Sequence, residues 1–582
     1  MLEKVNTPKD LKKLNIDELN ALALDIRKAL ITKMSKKGGH FGPNLGTVEL
    51  EIAMHYVFDS PKDKFVFDVS HQSYTHKILT GRKEAFLDEA HYNDVSGYTD
   101  PNESEHDMFT IGHTSTSISL ALGLVKARDV RKEKFNVIAV IGDGSLSGGE
   151  AYEGLDVAGD LNSNFIIIFN DNQMSIAENH GGMYKKLEEL RNSKGESSNN
   201  LFKSFNLDYR YLDEGNDISK LIDTLNELKD IDHPIVLHIN TEKGHGYEPS
   251  LENKEDWHYT MPFDIESGKE LYPYVRESYS SITGNILKSR IDNGEDILAV
   301  VAALPFNIGF SQEDRLKTYK DNFIDVGIAE QTAVALAAGA AKGHAKSVFA
   351  TSGSFLQRTF DQLHQDLCLD NNPATILVTG ASVNAGHDST HLGIFAASML
   401  ENIPNLKVLA PTNKAEYISM LNWSLDQDKE SVAILIPSNG IKEDERIPFI
   451  EFGNVKNKIE IVGKDVAIFG INDFYQYAED VVKMLNEKNI YPTLINPVNV
   501  STLDKNTLES LKDYKLVVTI EGSILDGTYG QKIASYFGAS DTKVINYGLK
   551  KEIIDRFKTE EILKENGMAK EDIVNDILKF LK

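Results

Sequence analysis

Apolar residues in this chain gather in short β-branched runs, each closed by Gly or Asn, with amphipathic stretches between them. FNVIAVIGDG (135–144), NFIIIFNDN (164–172) and PIVLHINTEKG (234–244) are three such runs. Continuous Val/Ile runs bounded by turn residues fit strands buried on both faces of a parallel sheet. The stretch GGEAYEGLDVAGD (148–160) between the first two runs reads as a crossover helix. Residues 14–34 read as an amphipathic helix, with Asp17 and Glu18 in the first turn, where the helix dipole favours acids.

The pattern restarts twice. ILAVVAALP (297–305), SVFATSG (347–353) and ATILVTGAS (374–382) form a second block. DVAIFGIND (465–473), YPTLINPVNV (491–500) and LVVTIEGS (516–523) form a third. Strand–helix alternation in each block predicts an α/β fold: three consecutive α/β domains with mostly parallel sheets. The expected boundaries are 1–265, a connection at 266–290, then 291–450 and 451–582. The polar stretch RNSKGESSNN (191–200) is expected to be a mobile loop.

Composition narrows the function classes. The chain has 582 residues and a formal net charge of −26, which argues against a nucleic-acid-binding face. An anionic substrate must therefore find local donors inside an acidic protein. The single cysteine, Cys368, leaves no intrachain disulfide and fits a reducing compartment. The N-terminal stretch lacks the pattern of a signal peptide, and no apolar run approaches the ~20 residues that span a bilayer. The expected setting is the cytoplasm.

Chemistry concentrates where strands end. Gly142-Asp143-Gly144 closes one strand and Asn170-Asp171-Asn172 closes the next, so one βαβ unit brings both ends to the same sheet edge. Asp143 offers a carboxylate and Asn172 an amide oxygen, both hard ligands suited to Mg²⁺. Gly142 and Gly144 permit close backbone approach, and the amides of the turn from Ser145 onward can face anionic oxygens. Taken singly, each motif is an ordinary turn; together they suggest a diphosphate held through one metal ion. A second signal is Glu330 in DVGIAEQTAVALAAGAAKG, a carboxylate heading an otherwise apolar helix, costly there unless it has a partner. A third is the set of histidines in Gly-rich contexts: His40, His71, His76 and His113. A lone histidine is more often structural, but imidazoles in loops suit proton relay near neutral pH.

These motifs resemble those of the deoxyxylulose-phosphate synthase family of the transketolase superfamily. GDGSLSGGEAYEGL followed by NDNQMSI resembles the thiamine-diphosphate signature, and GIAEQ resembles the pyrimidine-domain motif. KKGGHFGPNLG, DVSHQSYTHKILTGR, IGHTSTSIS, KGHGYEP, WHYTMPFD and GSILDGTYGQ follow in family order over nearly the whole chain. The resemblance implies three domains of the transketolase type, with thiamine diphosphate and Mg²⁺ across the first two. It further implies a homodimer with pyruvate and glyceraldehyde 3-phosphate as substrates. Asp143, Asn172 and the backbone carbonyl of Met174 would hold the metal. Glu330 would activate the cofactor and Phe355, in SFLQR, would stack on its aminopyrimidine. His40 and His258 would face the reacting carbon, with His71 beside the cofactor. His113, Lys243 and His391 would line the same cleft, and Arg358, His387 and Asp388 would meet the substrate.

Four positions depart from the family pattern. Gly380 and Ser438 stand where the family has phosphate-binding arginines, Ser352 where it has a tyrosine, and His387 where it has an aspartate. The loop after NDNQMSI is also shorter. These departures leave open a transketolase-like enzyme with another, non-phosphorylated acceptor. A non-catalytic homologue is the more distant alternative, disfavoured because Asp143, Asn172 and Glu330 are kept.

Overall fold

The structure is a computed structural model that describes residues 1–273, 277–386, 388–443, 452–454 and 456–582. It divides into two compact units, Met1–Val275 with Gly327–Ala329, and Arg276–Val326 with Glu330–Lys582.

After short helical turns at Leu2–Lys4 and Pro8–Leu11, the first unit forms its first long helix, α1 (Ile16–Lys37). Asn15 caps it: its side chain accepts from Glu18 N–H, and Glu18 reaches back to the Asn15 amide. Leu19, Leu22, Ile26, Leu30 and Met34, spaced at helical period, form its buried face. The sheet contains β1 (Lys64–Phe67), β2 (Val137–Gly142), β3 (Phe165–Asp171), β4 (Asp208–Leu212) and β5 (Pro234–Asn240). All are parallel, in the order β1-β2-β3-β5-β4. Every residue of β3 is buried, so FIIIF reads as an uninterrupted apolar stretch rather than an alternating one, up to the polar Asn170 and Asp171 at the strand end. Helix α2 (Ser117–Arg131) precedes β2, α3 (Gly149–Ala158) is the expected crossover between β2 and β3, and α4 (Gly182–Asn192) follows β3.

The register explains why the two strand-end motifs meet. Gly142 lies opposite Asn170, so Asp143 and Asn172 leave adjacent strands at one edge. Left-handed backbone in non-glycine residues occurs at the carboxyl ends of two of these strands: Val69 and Ser70 after β1, and Gln173 after β3. Such conformations cost about 1–3 kcal/mol and persist where surrounding contacts enforce them.

The second unit holds two sheets. One comprises β6 (Ile297–Val301), β7 (Phe323–Asp325), β8 (Lys346–Ser352), β9 (Thr375–Thr379), β10 (Leu406–Leu409) and β11 (Ser431–Leu435), all parallel. The other comprises β12 (Lys458–Ile461), β13 (Val466–Gly470), β14 (Thr493–Asn496), β15 (Leu516–Ile524) and β16 (Lys543–Leu549), with β12 alone antiparallel. The two sheets share one apolar cluster, in which Ala433 and Leu435 join Phe469 and Ile495. Helix α5 (Tyr279–Asp292) begins within the segment expected to be a connection, and its Tyr279 ring packs on Tyr417. Helix α6 (Glu330–Lys342) carries the apolar stretch behind Glu330. No described helix is long and apolar enough to cross a membrane.

Candidate active site

In the first unit the GDG and NDN turns touch. A methyl group on Gly144 would lie 3.1 Å from Ser175 Cα, so the turn after β2 seats directly on the turn after β3. Asp143 is 1% exposed, and its Oδ2 accepts from Asn179 Nδ2 at 2.7 Å. Burial and the neighbouring Asp171 push its carboxyl up to about 7. Its hydrogen bonds come from the neutral Asn179 amide and the Gly144 backbone, and even with the Lys243 charge acting on it the carboxyl stays raised, so a bound cation would compensate it further. Asn172 Oδ1 accepts from Met174 N–H at 3.1 Å and retains a second lone pair. Among the described residues no group of three or more His, Cys, Asp or Glu converges as a metal cage. One carboxylate, one amide and one backbone carbonyl instead fit Mg²⁺, which keeps few protein ligands and takes the rest from phosphate and water.

Asp171 does not share that role. Its Oδ2 takes Arg191 Nη1 at 2.6 Å and His238 Nε2 at 3.0 Å, and its Oδ1 accepts from Gln173 N–H at 3.2 Å. Asp171 thereby fixes the left-handed Gln173 and the turn that presents Asn172. Arg191, inside the stretch expected to be mobile, ends α4 in this buried ion pair.

The turn containing His113 comes to the same edge. Asp68 at the end of β1 accepts from Ser115 N–H (2.8 Å) and Ser117 N–H (3.0 Å), and Ser115 Oγ donates to the Ser145 carbonyl (2.7 Å). Lys243, 2% exposed, donates to the Ser175 carbonyl at 2.8 Å. Burial lowers its ammonium to about 7, against the pull of Asp143.

His40, His71 and His258 form one cluster. His40 lies 5.0 Å from His71 and 5.8 Å from His258, ring centre to ring centre, and His71 stacks on His258 at 5.3 Å. A two-stranded antiparallel pair, Gly39–His40 with Tyr259–Thr260, delivers His40 to this place. The absence of a side chain at Gly38 and Gly42 lets that segment approach the carbonyls of Thr260 and Trp257. Burial, then the charges of Lys243, His71 and His40, hold His258 well below the usual imidazole range, so it stays neutral. His76, from the same motif as His71, goes elsewhere: it is fully buried between His55 (2.8 Å) and Asp107 (2.8 Å) in a structural network.

In the second unit Glu330 is 3% exposed, and its Oε2 lies 3.6 Å from Arg358 Nη1. Burial raises its carboxyl above the ordinary value, opposed by Arg358. Phe355 and Arg358 follow β8 in short consecutive turns. The Phe355 ring meets His391 edge-on at 5.5 Å, and His391 Nδ1 lies 3.3 Å from Asp388 Oδ1. Burial opposes the ionisation of Asp388, yet His391 and Thr390 hold it at about 2. His387 lies outside the described residues. Gly380 has φ +65°, so glycine there serves the backbone as well as replacing a side chain. Ser382, Asn384 and the Ser438 amide all donate to the buried carboxylate of Asp473.

Several neighbours of these residues carried no signal of their own in the sequence. Asn179 and Tyr184, whose hydroxyl donates to the Asp143 carbonyl at 3.1 Å, become meaningful only once α4 folds back. Tyr98 and Tyr259 flank His40 at 5.7 and 5.1 Å. A tyrosine opposite a histidine in a two-residue strand pair offers no periodicity to read.

Similarity to known proteins covers the whole chain. Residues 2–198 match the model of the 1-deoxy-D-xylulose-5-phosphate synthase N-terminal region. Residues 277–442 match the transketolase pyrimidine-binding domain, and 455–573 the transketolase C-terminal domain. The 1-deoxy-D-xylulose-5-phosphate synthase of Clostridium beijerinckii is 38% identical over 623 aligned residues, covering 100% of this chain and 99% of that protein. The enzyme of the same name from Listeria monocytogenes is 37% identical over 595, covering 100% and 97%. Identity at this level along the full length identifies the chain as a member of the 1-deoxy-D-xylulose-5-phosphate synthase family.

Proposed function

We propose that the chain decarboxylates pyruvate and joins the remaining two-carbon unit to glyceraldehyde 3-phosphate, giving 1-deoxy-D-xylulose 5-phosphate. The reaction releases CO₂, forms one carbon–carbon bond to the aldehyde carbon, and places a proton on the former aldehyde oxygen. Full-length similarity to enzymes of that name carries the reading. Thiamine diphosphate supplies the carbanion chemistry when bound.

The residues divide the remaining work. Asp143, Asn172 and the Met174 carbonyl would hold Mg²⁺, and the burial of Asp143, whose carboxyl stays raised despite Asn179 and Lys243, supports this. Gly142, Gly144, Ser145, His71, His113 and Lys243 would surround the diphosphate and thiazolium end. Glu330 would hold a proton at a pyrimidine nitrogen, and Phe355 would stack on that ring. His258, kept neutral, can accept a proton, while His40 can donate one to developing alkoxide oxygen. Asp388 orients His391 through its carboxylate, as in other carboxylate–imidazole pairs. Arg358 and His387 complete the proposed acceptor contacts. A homodimer in the cytoplasm belongs to the same reading, and sedimentation gives its mass.

Titration calorimetry tests the cofactor assignment. Thiamine diphosphate should bind in the presence of Mg²⁺, lose its affinity with chelator, and fail to bind Asp143→Ala. Equal affinity with and without metal would remove the metal bridge.

A further inference from the structure

Glu330 and Arg358 come from different elements of the second unit. Glu330 opens α6, and Arg358 sits in the turn Gln357–Thr359 packed on that helix. The turn is well anchored: Leu356 and Thr359 are buried, and Thr359 Oγ1 donates to the Leu356 carbonyl at 2.6 Å. The guanidinium is therefore delivered by packed backbone. The elements packed against α6 also carry Lys346, Asp361, His364 and Asp366. Among the described residues only Arg358 exerts a charge effect on Glu330, and Lys346 is paired with Glu295.

A carboxylate this deeply buried takes up a proton unless a cation offsets the loss of water. The side chains of Glu330 and Arg358 are 4% and 17% exposed, so water screens the pair only weakly. We propose that Arg358 is a positioning residue for Glu330, holding its carboxylate charged and oriented so that the proton it shares with the cofactor rests on the pyrimidine nitrogen. The proposal rests on the reading of Glu330 as the activating acid. It gives Arg358 a task separate from substrate contact.

Two measurements test it. In the cofactor-free protein, infrared difference spectra against Glu330→Gln isolate the protonated-carboxyl stretch of Glu330 as pH is varied. Its midpoint should move to higher pH in Arg358→Gln and stay near the original in Arg358→Lys. In the protein loaded with thiamine diphosphate and Mg²⁺, exchange of the thiazolium C2 proton should slow about tenfold or more in Arg358→Gln and recover in Arg358→Lys, an opposite charge at this range being worth at least that factor in an ionisation. Cofactor affinity by calorimetry should change by no more than a few-fold. A midpoint and an exchange rate both unmoved in Arg358→Gln would overturn the proposal, as would a lysine variant that behaves like the glutamine one. If Glu330→Gln itself leaves exchange unchanged, the reading of Glu330 falls instead.

Discussion

Two glycines of one motif make different predictions for stability. Gly144 has φ −59° and ψ −48°, a backbone any residue adopts, so Gly144→Ala carries no dihedral strain. Its new methyl would meet Ser175 Oγ at 2.9 Å, Cβ at 3.0 Å and Cα at 3.1 Å. The hydroxyl can rotate away, but the Cα cannot, so the turn that carries Asn172 and Met174 must retreat by a few tenths of an ångström. Overpacking of this kind costs about 1–3 kcal/mol. Mg²⁺ tolerates little departure from octahedral geometry, and disturbing the support of a metal ligand typically costs about 10–100-fold in affinity. A methyl on Gly142 meets nothing within 4 Å, so Gly142→Ala should leave stability within about 0.5 kcal/mol. Its effect on cofactor binding then reports whether a ligand passes that edge. The assay pairs denaturant unfolding without cofactor with calorimetric titration of thiamine diphosphate at fixed Mg²⁺. The expected result is lost stability and affinity for Gly144→Ala, and lost affinity alone for Gly142→Ala. Unchanged metal-dependent binding in Gly144→Ala would refute the seating of one turn on the other as the basis of the metal site.

Arg191→Met should destabilise the first unit by about 3 kcal/mol, because it leaves the buried Asp171 with one fewer compensating charge; denaturant unfolding measures it, and a wild-type value would mean His238 and the Gln173 amide suffice. Burial raises the Glu521 carboxyl to about 7, so the folded state binds more protons than the unfolded one between pH ~4.5 and ~7 and stability should fall as pH rises through that window. Glu521→Gln should remove about 3 kcal/mol of the stability change across this window, and a pH dependence that does not change would place the titration elsewhere. With pyruvate as donor, glyceraldehyde 3-phosphate should exceed glyceraldehyde in kcat/KM by less than about a hundredfold, since Gly380 and Ser438 supply no charge and each such contact is worth about 1.5–3 kcal/mol. A preference of several orders of magnitude would show a phosphate site rebuilt from other residues.

The sequence revealed most where the local pattern and the buried pattern coincide. The runs 137–141 and 165–169 are uniformly apolar because both sheet faces are covered, and they became strands within a residue or two of expectation. The crossover rule then placed Asp143 and Asn172 at one edge without any tertiary information. His40, His71 and His258 are far apart in sequence, and family order, not spacing, joined them; the structure brings their rings within 6 Å. His76 shows the limit: it shares a motif with His71, yet its side chain turns into the core toward Asp107. The tie from Arg191 to Asp171 was invisible, because a polar stretch of low hydrophobicity reads as loop unless the buried carboxylate it serves is known. Helix α5 was similarly missed, its pattern being mixed and its burial supplied by Tyr417 from over a hundred residues away.

The account stands most directly on one product analysis. The protein is incubated with thiamine diphosphate, Mg²⁺, carbon-13-labelled pyruvate and glyceraldehyde 3-phosphate, and both CO₂ and the sugar phosphate are followed by mass spectrometry. The account predicts one CO₂ released for each labelled 1-deoxyxylulose 5-phosphate formed, and loss of both in Glu330→Gln. Decarboxylation without that product, or a wild-type yield from Glu330→Gln, would contradict it.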